Sequence, residues 1–301
     1  MLENYRVQVF RAVAELLSFR RAAERLHISQ PSVSQHVQLL EEELGLRLLD
    51  RGANGIRLTP AGEVLLRFAG QSSRLSQQAI AQLAALEGTA GGVLKLAAST
   101  TVAQYVLPRI LSPFLKQNPR VELGVKTGNT AQVTGWVAEG EADLGLIEGP
   151  PTRREVLAEH FLDDRIELIV PRNHPWARAA AQPVAIAALT SVPMLTREEG
   201  SGTRRVIEDA LSSAGLRPGQ LQILMELDST EAIISGVEAG LGIGFVSELA
   251  IQKELRLRTL ARVPVAGLEI LRAFSLIRRA GPLAAGPEAA FRNFALERAG
   301  K

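Results

Sequence analysis

The stretch SFRRAAERLHISQPSVSQHVQLLEEELG, residues 18–45, decides what the N-terminal part of the chain folds into. Ser18 is a favoured N-cap and stands directly before Phe19-Arg20-Arg21-Ala22-Ala23. His27-Ile28-Ser29-Gln30 is a short connector. Pro31 suits the first turn of the next helix, where its missing N–H costs nothing. Gly45 ends that helix after Leu44. The expected order is helix, short turn, helix. Ala22, Ala23, Leu26, Val33, Val37, Leu40 and Leu44 recur at helical spacing and are expected to face inward. Ser32, Ser34, Gln35, His36 and Gln38 are left as the polar exterior of the second helix.

That is the pattern of a helix-turn-helix, whose second helix enters the DNA major groove by its N-terminal residues. Gln can make two hydrogen bonds to an adenine edge, and Ser serves several bases or a phosphate. A plain helical subdomain has the same spacing, so the pattern alone leaves both open. Just beyond, Leu46 to Leu58 holds two short apolar runs around Gly52-Ala53-Asn54-Gly55. Asn and Gly tolerate the positive φ of a tight hairpin. This reads as a wing, from which Arg51 and Arg57 reach phosphate or the minor groove. The first helix carries Leu2, Tyr5, Val9, Val13 and Leu16/Leu17 as its apolar stripe. Glu41, Glu42 and Glu43 sit at the far end of the second helix, away from the groove.

Thr59-Pro60-Ala61-Gly62-Glu63 opens a long helix, with Thr59 as N-cap and Pro60 in the first position. Leu65, Phe68, Leu75, Leu83 and Leu86 recur close to a heptad seam, interrupted by Ser72. The helix has little chain of its own to pack against, so pairing with a second copy is expected over packing within its own domain. Thr89-Ala90-Gly91-Gly92 is a hinge-like linker.

From residue 92 strands and helices alternate, which indicates a parallel sheet and an α/β fold. Strands are expected at Val93–Ala98, Val121–Lys126, Asp143–Glu148, Ile166–Val170, Pro193–Thr196, Gln222–Leu227, Ile243–Val246 and Glu269–Ile277. Helices are expected at Val102–Gln117, Thr130–Glu139, Arg204–Ala214, Thr230–Ala239 and Glu288–Arg298. Two α/β units with a C-terminal return make a two-lobed, hinged domain.

Three strand-to-helix junctions carry chemistry. They are Ser99-Thr100-Thr101, Gly128-Asn129-Thr130 and Gly200-Ser201-Gly202-Thr203. Each places hydroxyls, an amide or a glycine at a helix N-terminus, where free N–H groups and the helix dipole favour anions. Ligands of open α/β sheets bind at the carboxyl ends of the strands. A small-anion site gripped from both lobes is therefore expected, against ordinary N-capping. Arg197 adds a charge-assisted contact or forms a surface ion pair with Glu198 or Glu199.

Composition excludes several classes. The chain has 301 residues, enough for about two domains. Cysteine is 0, which removes disulfides, thiolate metal sites and cysteine nucleophiles. The 4 histidines show no metal-ligand spacing, and no catalytic Ser/His/Asp grouping is visible. No enzyme activity and no cofactor or metal are expected. Net charge is only +2, so DNA contact must come from local arrangement. No apolar run approaches a membrane span, and the N-terminus has charges where a signal peptide would be apolar. A soluble, cytoplasmic protein is expected. A solute-binding protein would share the C-terminal fold but has no need of a helix-turn-helix.

With RLTPAGE following at residues 57–63, the N-terminal segment resembles the winged helix-turn-helix of LysR-type transcriptional regulators. The resemblance covers the whole chain. It implies a DNA-binding domain at 1–58, a dimerising linker helix and hinge at 59–91, and an effector-binding domain at 92–301 similar to periplasmic binding proteins. Lobe I would be about 92–163 and 266–301, and lobe II about 164–265. It also implies operator DNA, a small effector, RNA polymerase and further copies of the chain, up to a homotetramer, as partners. Carried over by position, the family's base- and backbone-contacting residues fall on Gln30, Ser32, Ser34, Gln35 and Arg51. Two departures stand out: Gln35 replaces a common Arg or Lys, and the wing is less basic than usual. Within the family, AASTTVAQYVLPRIL, GNT, LGLIEGP and TREEGSGTR resemble the branch regulating sulfite and sulfate reduction and cysteine supply. The carbon-fixation-operon branch shares the LP and NT elements. It implies a small-carboxylate or phosphorylated effector instead.

Overall fold

The computed structural model describes residues 4–52, 55–86, 91–178, 182–281, 283 and 286–299. Asn4 caps α1 (Tyr5–Leu16), its side chain accepting from the Arg6 N–H. Ser18 caps α2 (Phe19–Leu26) by accepting from the Arg21 N–H, and Ser29 caps α3 (Gln30–Leu44) by accepting from that of Ser32. Gly45, at φ 66, ends α3 in the left-handed region where glycine carries no steric penalty. β1 (Leu49–Gly52) and β2 (Gly55–Leu58) pair antiparallel, Leu49 opposite Leu58 and Asp50 opposite Arg57. Val9, Phe10, Val13, Phe19, Ala22, Val33, Val37, Leu40 and Leu48 form one buried core.

Three expectations are corrected in this region. Leu44 is 45% exposed, because it is the last residue of α3 and extends past the wall of the core. Leu17 is exposed for a similar reason, sitting in the left-handed turn that closes α1. His36 does not belong to the polar exterior: it is half-buried with its ring edge-on to Tyr5 at 5.1 Å. Leu2 lies outside the described residues.

α4 (Pro60–Leu86) begins where Thr59 Oγ1 accepts from the Gly62 N–H and donates to the Arg47 carbonyl. Contacts divide the chain into two units, residues 1–88 and 89–301, so α4 belongs with the winged head. The linker residues Thr89 and Ala90 lie outside the described residues.

The second unit is built on β3 (Gly92–Ser99), α5 (Leu107–Gln117), β4 (Val121–Gly128), α6 (Thr130–Glu139), β5 (Leu144–Glu148), β6 (Val156–Pro171), α7 (Pro175–Arg178) and β7 (Pro193–Arg197). It continues through α8 (Gly202–Ser213), β8 (Gln222–Leu227), α9 (Thr230–Glu238), β9 (Ile243–Ser247), α10 (Gln252–Leu257), β10 (Leu260–Val263), β11 (Ile270–Arg279) and α11 (Pro287–Ala299). The sheet order is β4-β3-β5-β11-β6-β9-β7-β8, with β10 on β6. β3 pairs parallel with β4 and β5, and β7 pairs parallel with β8 and β9. Between these parallel halves lie β6 and β11, antiparallel to each other and crossing from one lobe to the other. Leu94, Leu96, Phe114, Leu144 and Phe291 fill one lobe's core, and Ile166, Leu168, Leu211, Phe245 and Val263 fill the other's.

The expected strand at Ile166–Val170 is only the end of β6, which starts ten residues earlier at Val156. Glu159, His160, Asp163 and Asp164 hide the first half, since charged residues in a strand spoil the apolar run that marks one. The helix expected from Val102 opens at Thr100 and makes a π turn over Val102–Val106 before α5. α10 and β10 are additional to the expected elements. No helix among the described residues is long and apolar enough to cross a membrane.

Candidate functional site

The first candidate surface is α3. Gln30, Gln35 and Gln38 are exposed, and Ser32 and Ser34 are half-buried beside them. Gln38 Nε2 donates to Glu42 Oε1 at 2.9 Å, which ties it back along its own helix. The acidic run is consumed inside the head. Glu41 Oε1 accepts from the backbone N–H groups of Leu48 and Leu49 at 2.7 and 3.1 Å, fixing the start of the wing to α3. Glu43 pairs with Arg6 at 2.9 Å. Near the N-terminal end of α3 the exposed Gln30 and Gln35 are uncharged hydrogen-bonding groups, while Glu42 and Glu43 are exposed at its far end. Arg57 is exposed on β2. Arg51 lies on β1, and its side chain is outside the described residues.

The second surface is α4. Phe68, Leu75 and Leu83 are 56%, 67% and 60% exposed, an apolar line that nothing in this chain covers among the described residues. Val64, on the same line, is exposed as well and was not part of the expected seam. Leu65 corrects that seam: it packs against the core of the head, because the first turns of α4 lean on α1 and the wing. The side chain of Leu86 lies outside the described residues.

The third surface is the cleft between the lobes, where the Asn129-Thr130 junction meets the segment leading into Ser201-Gly202-Thr203 and the Ser99-Thr100-Thr101 junction faces the other lobe separately. A fourth joins them. Ser229-Thr230 at the start of α9 has the same form, with Ser229 accepting from the Ala232 N–H. Two sets of bonds cross the cleft. Thr101 Oγ1 lies 3.2 Å from Thr230 Oγ1, and the Tyr105 hydroxyl donates to the Glu231 carboxylate. On the other side, Asn129 Nδ2 donates to the Glu199 carbonyl at 3.3 Å, and the Ala131 N–H to the Gly200 carbonyl at 3.2 Å. Burial and the neighbouring Glu231 carboxylate hold the Tyr105 phenol well above its usual range, so it remains a donor.

Most of the expected effector groups have partners already. Asn129 and Gln132 form a capping box at the start of α6. Thr130 Oγ1 donates to the Glu148 carbonyl at 3.0 Å. Ser201 caps α8 by accepting from the Arg204 N–H. Thr203 Oγ1 is bonded by Arg272 Nη1 at 2.7 Å. Gly202 offers its backbone alone and packs against the end of β5. Arg197 forms no surface pair: it is buried, and Glu198 is its ionic partner. Two hydroxyls differ from all of these. Ser99 Oγ and Thr100 Oγ1 are buried with no hydrogen-bond partner, at the carboxyl end of β3. A buried hydroxyl left unbonded is costly unless something else satisfies it.

Arg272 was not among the expected residues. It lies buried on β11 between Glu148 at 3.0 Å and Asp164 at 2.7 Å. Ser247 Oγ donates to Asp164 at 2.8 Å. Burial pushes the Asp164 carboxyl up, and the opposing pull of Arg272 and Ser247 does not reverse it. This cluster ties β5, β6, β9, β11 and α8 together where the lobes cross. Thr230 could have been found from the Asp228-Ser229-Thr230-Glu231 run after a strand, the same signature as the other junctions. Arg272 gives no such local sign.

Two family models match the chain. Residues 5–63 match the bacterial regulatory helix-turn-helix protein, lysR family, and residues 87–300 match the LysR substrate binding domain. The chain belongs to the LysR family of transcriptional regulators. This regulator is 35% identical over 300 residues to the RuBisCO operon transcriptional regulator of Allochromatium vinosum, covering 98% of this chain and 96% of that one. It is 36% identical over 271 residues to the HTH-type transcriptional regulator CysL of Bacillus subtilis, covering 90% and 89%. Among solved structures it resembles the Synechocystis CcmR regulatory domain in complex with 2-PG. That match has a TM-score of 0.63 and 26% identity, and covers 69% of this chain and 97% of that one. The family is one of DNA-binding regulators and not of enzymes.

Proposed function

We propose that this regulator binds operator DNA through α3 and the wing, and that a small oxyanion held between the lobes of residues 92–301 modulates it. The observation that carries the effector reading is the pair of buried, unpartnered hydroxyls of Ser99 and Thr100 at the carboxyl end of β3, where the chain turns into a helix. Free N–H groups and aligned helix dipoles favour an anion there, and the two hydroxyls supply unspent hydrogen bonds. On this reading residues 1–58 form the DNA-binding head, 59–91 the dimerising helix and hinge, and the exposed line on α4 pairs with a second copy. Assembly into a tetramer, contact with RNA polymerase and residence in the cytoplasm belong to the same proposal. The pathway that fits the motif resemblance is sulfur assimilation, with sulfate, sulfite or thiosulfate as effector.

A second reading takes the effector as a small phosphorylated or carboxylic acid and the target as a carbon-fixation operon. The similarity to the 2-PG-bound CcmR domain and to the Allochromatium regulator favours it. One calorimetric series tests both. Wild type and Thr100→Val are titrated with sulfate, sulfite, thiosulfate, phosphoglycolate and malonate. The class that binds wild type names the effector, and Thr100→Val loses roughly ten- to a hundredfold of that affinity with operator binding intact. No binding by any of these anions overturns the anion site.

A further inference from the structure

Arg197 ends β7 with a side chain that is only 1% exposed. A guanidinium taken so far from water needs a counter-charge. Its neighbour Glu198 supplies one through both oxygens. Arg197 Nε donates to Glu198 Oε2 at 2.8 Å, and Nη2 donates to Oε1 at 3.1 Å. This is the two-pronged geometry in which Arg recognises a carboxylate, phosphate or similar planar or tetrahedral oxyanion. The other donors are used to hold the guanidinium in place. Nη2 reaches the Asp228 carbonyl at 3.2 Å and Nη1 reaches Thr230 Oγ1 at 3.4 Å.

The two partners are not equally fixed. Arg197 is anchored by β7 and by the start of α9. The Glu198 side chain is 24% exposed, and its carboxylate has no hydrogen-bond donor other than Arg197 among the described residues. The cation is built in, while the anion has a route to water. The guanidinium also sits close to the cleft. Thr230, which it bonds, touches Thr101 of the opposite lobe, and Thr101 follows Ser99 and Thr100 with their unpartnered hydroxyls.

We infer that Glu198 is a built-in stand-in for the effector, its carboxylate filling the fork of Arg197 that an incoming anion must take. This rests on the reading of the cleft as an anion site and adds how that site is gated. Binding is an exchange: the Glu198 carboxylate swings out to solvent and the effector takes both donors. A monocarboxylate offers Arg197 nothing that Glu198 does not already offer from a tethered position. A dianionic oxyanion brings a second charge and further oxygens. The exchange therefore selects sulfate-like and phosphomonoester groups over simple monocarboxylates. It also raises the concentration at which the regulator responds.

The test uses the full-length chain as wild type, Glu198→Gln, Glu198→Ala and Arg197→Gln. Each is titrated by calorimetry with inorganic sulfate, inorganic phosphate, phosphoglycolate and acetate. Removing the competing carboxylate should tighten dianion binding by roughly ten- to a hundredfold and narrow the preference over acetate. Arg197→Gln should abolish binding. Because both Glu198 variants leave a buried cation, thermal melts with and without sulfate accompany the titrations. The sulfate-induced rise in Tm should be larger in the Glu198 variants than in wild type, even where their own Tm is low. If wild type binds a dianion and the Glu198 variants bind it equally or more weakly, the stand-in role is wrong and the anion site stands. If no form binds any of the four probes, the anion site itself is wrong and this inference goes with it.

Discussion

A Cβ placed on Gly202 would lie 1.9 Å from the main-chain oxygen of Glu148. Gly202 opens α8 in one lobe and Glu148 closes β5 in the other, so the lobes meet here backbone against backbone. Any side chain forces them apart. Gly202→Ala should break the neighbouring bond from the Ala131 N–H to the Gly200 carbonyl. Hydrogen exchange at the Ala131 amide is the measurement. We expect clearly faster exchange there, with the amides of β3 unchanged, and weaker anion binding. Unaltered exchange at Ala131 would mean the lobes give way elsewhere.

The exposed glutamines of α3 make a prediction about DNA. Gln35→Ala should cost about 1–3 kcal/mol at the cognate operator if Gln35 makes a two-bond contact with a base. Random-sequence DNA should be bound as before. Arg57→Ala should instead weaken all sequences alike and flatten the salt dependence of binding, as the loss of a phosphate contact does. Fluorescence anisotropy across a range of salt separates the two. Equal losses on operator and random DNA for Gln35→Ala would remove it from base recognition.

Among the described side chains of α4, Leu75 is the most exposed large apolar one. Leu75→Asp would bury a charge in any paired apolar seam, a cost of several kcal/mol unless it is relieved. The assembly should dissociate and operator binding should fall, since two half-sites are then no longer linked. Light scattering that shows the wild-type mass for this variant rules α4 out as the seam.

Glu288, in the first turn of α11, has its carboxyl pushed up to about 7 by burial, with Asp143 nearby adding to the effect and Arg279 and Arg278 opposing it. The unfolded chain holds this carboxyl near the ordinary value of about 4.3. The folded state therefore binds the proton more tightly. Its contribution to stability is whole below about pH 4.3 and is lost as pH rises through about 7. Glu288→Gln removes that loss. Thermal melts from acid to alkaline pH should show wild type falling relative to the variant across this window. Parallel curves would show that Glu288 is not the group responsible.

The winged head was legible because its signals are local. Ser18, Ser29 and Gly45 each mark a helix end within four residues of the backbone group they serve. The junctions of the cleft were legible for the same reason: a strand ends, a hydroxyl or amide follows, and a helix begins. Which of those hydroxyls remain unspent was not legible. Thr203 is bonded by Arg272, 69 residues away, and Thr101 meets Thr230, 129 residues away. Pairings of that range depend on the whole sheet. The inward turn of Arg197 was hidden in the same way, since its support comes from Asp228 and Thr230 on the far side of β8. Leu65 was misread because heptad spacing does not tell one apolar neighbour from another, and the head reached it first.

β6 and β11 run unbroken through both lobes, paired from Ile270 opposite Ile166 to Arg279 opposite Val156, with one irregularity at Phe274/Ser275. A ladder of hydrogen bonds resists being pulled or sheared, but from Leu271 opposite Arg165 to Ala273 opposite Asp163 no third strand among the described residues pairs with these two, and so narrow a strip twists more readily than a wide sheet. The crossing therefore behaves as a torsion spring and not as a free pivot. Its slack is concentrated at the irregularity, where the partner strand carries Phe161 as the extra residue. On the proposed reading, an effector on one rim of the cleft would wind this spring through a small angle. Under the proposed function, the lobes would turn in one sense as a ligand binds and be drawn back by the ribbon as it leaves.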